Sequence, residues 1–376
     1  MIMMSHVRSL LEDGLAQKHF PSYSFLIARG REFLAEGCGG HSVVVPESVP
    51  ATTQTIYDLA SLTKPLVTSL LALILRRQKI IRFDDEVRRF FPAYDRDGRG
   101  DIGLAHLLSH TSGLPDWEPL YLAGNGRQEI YQRLDRIGLE YATGTETIYS
   151  CLGYIQLGRI LELSAGAPLD SLFRDLVAHP LGLETASYNP AAEMMVRIAA
   201  TETGNEYERR KCGDRAAHYH GFRVGVIRGE VHDQNCFALG GVAGNAGLFA
   251  TAKDVCKIAA ELLDPQLLLQ PDEAKMYFES LSPASADQRS IGLQLGTARD
   301  AVGGPALSSK SGAHVGMTGT SIAIDPEHRL ILILLTNRLH PVYRDFQMNA
   351  FRRRFHEAAI ADDDAPDKEL IDDVKG

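Results

Sequence analysis

Cysteine is scarce in this chain and never patterned. Its five cysteines, at 38, 151, 212, 236 and 256, are odd in number, scattered and without a C-x-x-C. That spacing excludes a disulfide framework and a zinc ribbon, and points to reduced thiols in a cytoplasm. Long apolar runs are lacking too, the strongest being 66–75 and 330–335, well short of the roughly 20 residues that span a bilayer. No membrane partner is expected. The first twenty residues carry His6, Arg8, Glu12 and Asp13 where a secretory signal needs a continuous apolar core, so we expect an amphipathic helix there and a cytoplasmic protein. Positive charge is not in excess either: Lys plus Arg is 39 against 48 Asp plus Glu, a net charge of −9. Seven acids and two lysines at 362–376 supply −5 of it. No nucleic-acid surface is expected, and that end reads as a solvated acidic tail.

What is present is enough apolar residue for a large core, and a length that suits two compact units at roughly 150 residues per domain. Residues 22–28 and 32–38 read as a β-hairpin around Arg29-Gly30-Arg31. From Lys64 to about residue 268 the pattern is mostly helical, at 65–77, 101–108, 128–137, 150–164, 169–177 and 252–263, with Gly-, Pro- and Asp-rich loops between. Strand-like runs return at 290–296, 320–324 and 330–335, followed by an amphipathic helix at 344–361. The expected fold class is α/β (α+β) rather than doubly wound: an antiparallel sheet flanked by the first and last helices, with an inserted all-α domain. Residues 1–63 and 285–361 would form a discontinuous α/β domain, 64–284 a mostly helical one, and 362–376 the tail.

Three stretches carry chemistry. In Tyr57-Asp58-Leu59-Ala60-Ser61-Leu62-Thr63-Lys64-Pro65, Ser61 and Lys64 share a helical face, with Cβ atoms about 5–6 Å apart. An amine can reach the hydroxyl, and no histidine is needed to activate it. The first turn of a helix also offers unpaired N–H groups and the positive end of the macrodipole, which suits a developing oxyanion. Pro65 has no N–H for the carbonyl of Ser61, so the helix must begin here or be distorted. An isolated S-x-x-K is usually only a capped helix start with a solvated lysine. The second stretch, Tyr149-Ser150-Cys151, stands where a loop enters a helix; alone it reads as packing. The third, His314-Val315-Gly316-Met317-Thr318-Gly319-Thr320-Ser321, leads into a strand with glycines that suit close ligand approach. Alone it is a turn.

As an ordered set, these residues resemble the serine β-lactamase and penicillin-binding protein superfamily, most of all the class C β-lactamases and their esterase-like relatives. S-x-x-K is one of that superfamily's signatures. Residues 107–115 (LLSHTSGLP), 240–249 (GGVAGNAGLF) and 335–341 (LTNRLHP) extend the match, which covers roughly 20–360. The resemblance implies that Ser61 accepts the acyl group, that Lys64 is its base or pKa-lowering partner, and that Tyr149 relays protons to the leaving group. Whether Lys64 or Tyr149 is the base stays open. It also implies an oxyanion hole from the N–H groups of Ser61 and Met317, and substrate contacts from Cys151, His314 and Gly316. A serine hydroxyl needs such help, being a weak nucleophile at neutral pH. The implied activity is a serine hydrolase acting through an acyl-enzyme on esters, small amides or β-lactams. The alternative is a non-catalytic or acylable penicillin-binding-like protein that holds peptidoglycan fragments or β-lactams without turnover. No cofactor or metal is implied, the partner is a small-molecule acyl substrate, and the oligomeric state is open.

Two departures bear on the substrate. Class C relatives carry Tyr-x-Asn, whereas Cys151 stands in the asparagine position and offers only a weak S–H. Their third motif is Lys-Thr-Gly; here His314-Val315-Gly316 is preferred over Lys310-Ser311-Gly312, because Met-Thr-Gly-Thr follows it at the spacing of histidine-bearing relatives. A histidine is mostly neutral above its ordinary pKa of about 6.5. Weak carboxylate anchoring, and a shift toward esters or small amides, is expected. Among the remaining features, His106 and His110 have metal-like spacing but no H-E-x-x-H glutamate. His218, His220 and His232 read as loop or site rim. The glycines of 240–247 lack a phosphate-loop ending and read as close backbone packing, with Asn245 where relatives often have histidine. Arg352, Arg353 and Arg354 read as a solvated face.

Overall fold

The computed structural model describes residues 4–124, 126–283 and 287–363. The rest of the expected acidic tail, from 364 on, lies outside the described residues.

The run Leu-Ile-Leu-Ile-Leu-Leu-Thr forms β7, Leu330–Thr336, buried along its whole length. Side chains alternate between the two faces of a strand, so a run apolar at every position needs cover on both sides. It has it. Leu330, Leu332 and Leu334 pack into one core with Phe25, Ile27, Phe351 and Phe355, which joins the sheet to α1 (Ser5–Ala16) and α5 (Met348–Asp363). Ile331, Ile333 and Leu335 point the other way, into a core shared with α2 (Ser69–Arg77), α3 (Cys151–Ala165) and α4 (Ala252–Leu263).

β7 is one of seven strands, paired antiparallel in the order β3-β2-β1-β7-β6-β5-β4, with β1 Ser22–Arg29, β2 Glu32–Val43, β3 Val49–Pro50, β4 Gln294–Leu295, β5 Gly312–Val315 and β6 Ser321–Asp325. The two ends of the chain meet where Tyr23 opposes Thr336 and Arg29 opposes Leu330. Gly30, at φ +60°, makes the hairpin turn between β1 and β2, a backbone region open to glycine at little cost.

Several boundaries differ from the sequence reading. Only Gln294–Leu295 of the strand expected at 290–296 pairs. The last helix starts at Met348 rather than Arg344. The segment read as a turn around His314 is strand β5, paired with β6 through His314 opposite Ile322. Gly-Ala-His-Val has little strand character of its own; its neighbours impose it.

The glycine-rich loop 240–247 lies directly against α3. A Cβ on Gly244 would stand 2.1 Å from the carbonyl oxygen of Tyr154, and one on Gly158 would stand 2.8 Å from the Gly244 nitrogen. Backbone meets backbone there, and glycine is required on both sides. Gly244→Ala should therefore push the loop off α3 and lower unfolding stability by about 1–3 kcal/mol, the usual cost of overpacking. Urea denaturation of the variant measures this; an unchanged midpoint would contradict the contact.

Candidate active site

Pro65 shapes the start of the site. Lacking an N–H, it breaks regular α-geometry, and the chain passes from a 3-10 turn, Ala60–Leu62, through a wide π turn, Lys64–Thr68, into α2. Ala60 sits at φ +47°, a conformation uncommon for a residue with a side chain. The turn is held in it from three sides. Asp58 accepts the Ala60 N–H at 2.8 Å, Thr63 Oγ1 donates to the Ala60 carbonyl at 2.7 Å, and Leu59 N–H donates to Leu248. Thr318 and Thr320 donate to the carbonyls of Asp58 and Leu59 at 2.8 and 3.0 Å. The threonines of Met-Thr-Gly-Thr thus stitch the Ser61 turn to the end of β5.

The result brings the expected groups together. Lys64 is fully buried, and its Nζ lies 3.0 Å from Ser61 Oγ, 3.0 Å from the Asn245 carbonyl oxygen and 3.6 Å from Cys151 Sγ. An ammonium has three donors and finds three acceptors. A neutral amine would keep two of those bonds and turn its lone pair to the Ser61 hydroxyl. Nζ also lies 4.9 Å from the centre of the Tyr149 ring. Desolvation pushes the Tyr149 phenol up, while the Lys64 charge and hydrogen bonding to Lys64 and Ser61 pull against it. Burial opposes the Lys64 ammonium, yet its pKa lies above the ordinary value because Cys151 and Tyr149 stand beside it. Tyr149 lends that support only as a phenolate. With its own pKa raised, it is a neutral phenol near pH 7.

His110 orients the tyrosine. It sits at φ +61°, its Nδ1 accepts the Ser150 N–H at 3.0 Å, and its ring lies 4.6 Å from that of Tyr149. His106 Nδ1 instead accepts the Gly103 N–H, so the two histidines face different partners. Among the described residues no group of three or more His, Cys, Asp or Glu could hold a metal ion.

Ser61 and Tyr149 open onto a cavity of about 480 Å³ that His314, Gly316 and Met317 also line. A larger one, about 610 Å³, between Glu118 and Leu139 touches none of these residues. His314 is buried with neither ring nitrogen hydrogen-bonded, and burial, with Lys64 and Arg289 nearby, holds its pKa well below the ordinary value. Lys310 faces away, exposed and paired with Glu327 at 3.0 Å. Gly316 has no room for a side chain: a Cβ would lie 2.1 Å from Thr320 Oγ1 and 2.6 Å from the Leu59 carbonyl. The Met317 carbonyl accepts from Arg338 Nε at 2.8 Å.

Two readings need correction. Arg352 is not on a solvated face; it is 3% exposed, lines the cavity and donates to the carbonyls of Gly316 and Thr320 at 2.7 and 2.9 Å. His232 is not at a rim either. It is buried against Glu202 at 2.7 Å, and its N–H donates to Asp58 at 2.7 Å. The sequence reading missed Arg289 and Arg338, which also line the cavity.

The geometry is accompanied by a match along the chain: the family model described as Beta-lactamase covers residues 7–356. The chain belongs to the β-lactamase family. A putative D-alanyl-D-alanine carboxypeptidase of Escherichia coli (strain K12) is 29% identical over 363 residues, covering 88% of this chain and 81% of that protein. Among solved structures, EstCE1, a hydrolase with promiscuous acyltransferase activity, superposes with TM-score 0.71 at 21% identity over 94% of this chain and 97% of its own. The octameric penicillin-binding protein homologue from Pyrococcus abyssi gives 0.73 at 18% identity over 94% and 76%. These structures share the β-lactamase fold with this protein. Its family and relatives make it a hydrolase of that fold. Among the described residues no helix is long and apolar enough to cross a membrane.

The buried histidines of this β-lactamase-family site carry a pH signature. His110 and His314 both have folded pKa values well below 6.5, so on acidification the unfolded chain takes up their protons first. Their neutral burial costs nothing extra above about pH 6.5 and destabilises progressively below it, by at most about 1.4 kcal/mol per pH unit for each histidine. Denaturant unfolding between pH 7.5 and 5 should show stability falling with pH, and His314→Gln should make the fall shallower. A slope that is the same in wild type and variant would contradict a neutral, buried His314.

Proposed function

We propose that this protein is a serine hydrolase that acylates Ser61 and releases the acyl group to water. The observation that carries this reading is the 3.0 Å approach of a fully buried Lys64 Nζ to Ser61 Oγ at the edge of the cavity. Lys64, in the minor neutral form that its raised pKa leaves, takes the hydroxyl proton as Oγ attacks the acyl carbon; the Tyr149 phenol passes its proton to the leaving group and is reprotonated from Lys64. Main-chain N–H groups of Ser61 and Met317 receive the oxyanion; among the described residues, Met317 N–H has no other acceptor. Preorganised donors of this kind are worth about 10²–10³ in rate. Water then repeats the attack, with the same groups moving its proton. Replacing Ser61 by Ala should lower ester turnover by at least about 10³-fold, and Tyr149→Phe by about 10²–10⁴-fold. Steady-state kinetics with a p-nitrophenyl ester measure both; turnover retained by Ser61→Ala would overturn the reading.

The arginines of the cavity, which Asp300 also lines, support a preference for substrates with a negative charge, beyond the weak anchoring expected of His314 itself. Arg352 is committed to main-chain carbonyls, but Arg289 spends only Nε, on Asp287 at 2.9 Å, and Arg338 only Nε, on Met317. Their terminal nitrogens remain for a carboxylate, which a guanidinium can grip with two bonds. Small esters and amides with a free carboxylate are therefore the proposed class. The terminal D-alanyl-D-alanine bond, for which the putative carboxypeptidase of E. coli is named, is one example. Arg289→Gln should raise KM at least about tenfold for a D-alanyl-D-alanine-type substrate, with little effect when its carboxylate is amidated. Equal effects on both would contradict the role.

One feature favours the second reading, a protein acylated without turnover. Cys151, 3.6 Å from Lys64, gives less support to the amine than an amide oxygen would. Rapid acylation followed by no detectable product release would favour it.

A further inference from the structure

A second cavity, about 420 Å³, lies behind the catalytic one and shares a single residue with it, Arg338. It forms where the chain leaving α1, the far end of β2 and the segment after β7 come together. Its volume falls within the range that holds small organic ligands. One wall is apolar, from Leu15, Phe20, Val44 and Val342. Of the ten large hydrophobic residues exposed among the described residues, three (Val44, Val45 and Val342) stand at or beside this mouth, a concentration that single scattered residues do not produce.

The opposite character is just as clear. Lys18, Arg338 and Arg344 line the same cavity, and no acidic residue does. Among the described residues none of the three makes an ion pair, although Asp345 acts on Arg338 from farther off and the protein as a whole is acidic at −9. The walls are set in advance: His340 Nε2 accepts the Val44 N–H at 2.9 Å and ties the two sides together. That bond makes Nδ1 the protonated nitrogen of the neutral ring, and it is a buried donor with no acceptor. Buried donors in folded proteins are rarely left so.

We propose that this cavity binds an anionic amphiphile, a carboxylate on a medium-length unbranched apolar chain, as a ligand site separate from the catalytic cavity. Lys18 and Arg344 meet the carboxylate, Arg338 adds positive charge at the shared wall, and the chain lies against Phe20, Val44 and Val342. No bond is made or broken. The site does not depend on the acyl-enzyme reading.

Isothermal titration of the full chain with octanoate tests it, with acetate and octan-1-ol as the chain-free and charge-free controls. The expected result is saturable binding of one octanoate per chain, at least about tenfold tighter than either control. The double variant Lys18→Glu/Arg344→Glu, exposed positions whose change should leave the fold intact, should weaken octanoate at least about tenfold. Val342→Trp, which fills the mouth, should do the same. Arg289→Gln, in the catalytic cavity, should leave it unchanged. The proposal is overturned by absence of saturable binding, by octan-1-ol binding as tightly as octanoate, or by Arg289→Gln weakening it as much as the charge reversal. Association with anionic vesicles in place of saturable octanoate binding would likewise overturn it, and would make the patch a membrane-facing one.

Discussion

A lysine with no solvent exposure, held by three acceptors, is the constraint from which the rest of this site follows. Taking an ammonium out of water is costly unless its donors are met, and each acceptor here comes from a different part of the chain. Ser61 comes from the turn before α2, Cys151 from the first residue of α3, and the Asn245 carbonyl from the glycine-rich loop. That loop can approach because Gly158 and Gly244 let backbone touch backbone. The Ser61 turn can keep its unusual Ala60 conformation because Thr318 and Thr320 hold the carbonyls on either side of Leu59. Fold and site are thus one arrangement: the sheet delivers the threonines and the helices deliver the lysine's partners.

The electrostatics are those of a cationic cavity with neutral histidines. His110 and His314 are buried and stripped of charge, while Arg289, Arg338 and Arg352 supply it at fixed positions. Arg352 illustrates how charge and architecture combine. Its guanidinium holds the Gly316 and Thr320 carbonyls, so it stabilises the turn that bears Met317 as well as contributing positive potential. Arg338 does the same for the Met317 carbonyl and forms the wall between the two cavities.

Much of this was legible in the sequence where the signal is local. The fully apolar run of β7, the hairpin about Gly30, the α4 boundaries and the S-x-x-K spacing all depend on near neighbours, and the family resemblance supplied their order. What was not legible depends on partners far away in the chain. Nothing in Gly-Ala-His-Val announces a strand until β6 lies beside it. Nothing in three consecutive arginines tells which one turns inward, because the carbonyls that accept from Arg352 lie more than thirty residues away. His232 is paired with Glu202 across thirty residues, and no spacing rule links them. Arg289 carries no motif at all, and only its place over the Tyr149 ring, 5.3 Å from the centre, marks it.

The most direct test of the central claim is to catch the acyl group. Incubation with a slowly released acyl donor, acid quench, and mass mapping of the digest should locate the adduct. The account predicts a single acyl group on the peptide bearing Ser61, lost in Lys64→Ala under the same exposure. An adduct on Cys151 in place of Ser61, or equal labelling of Ser61 with Lys64 removed, would contradict it.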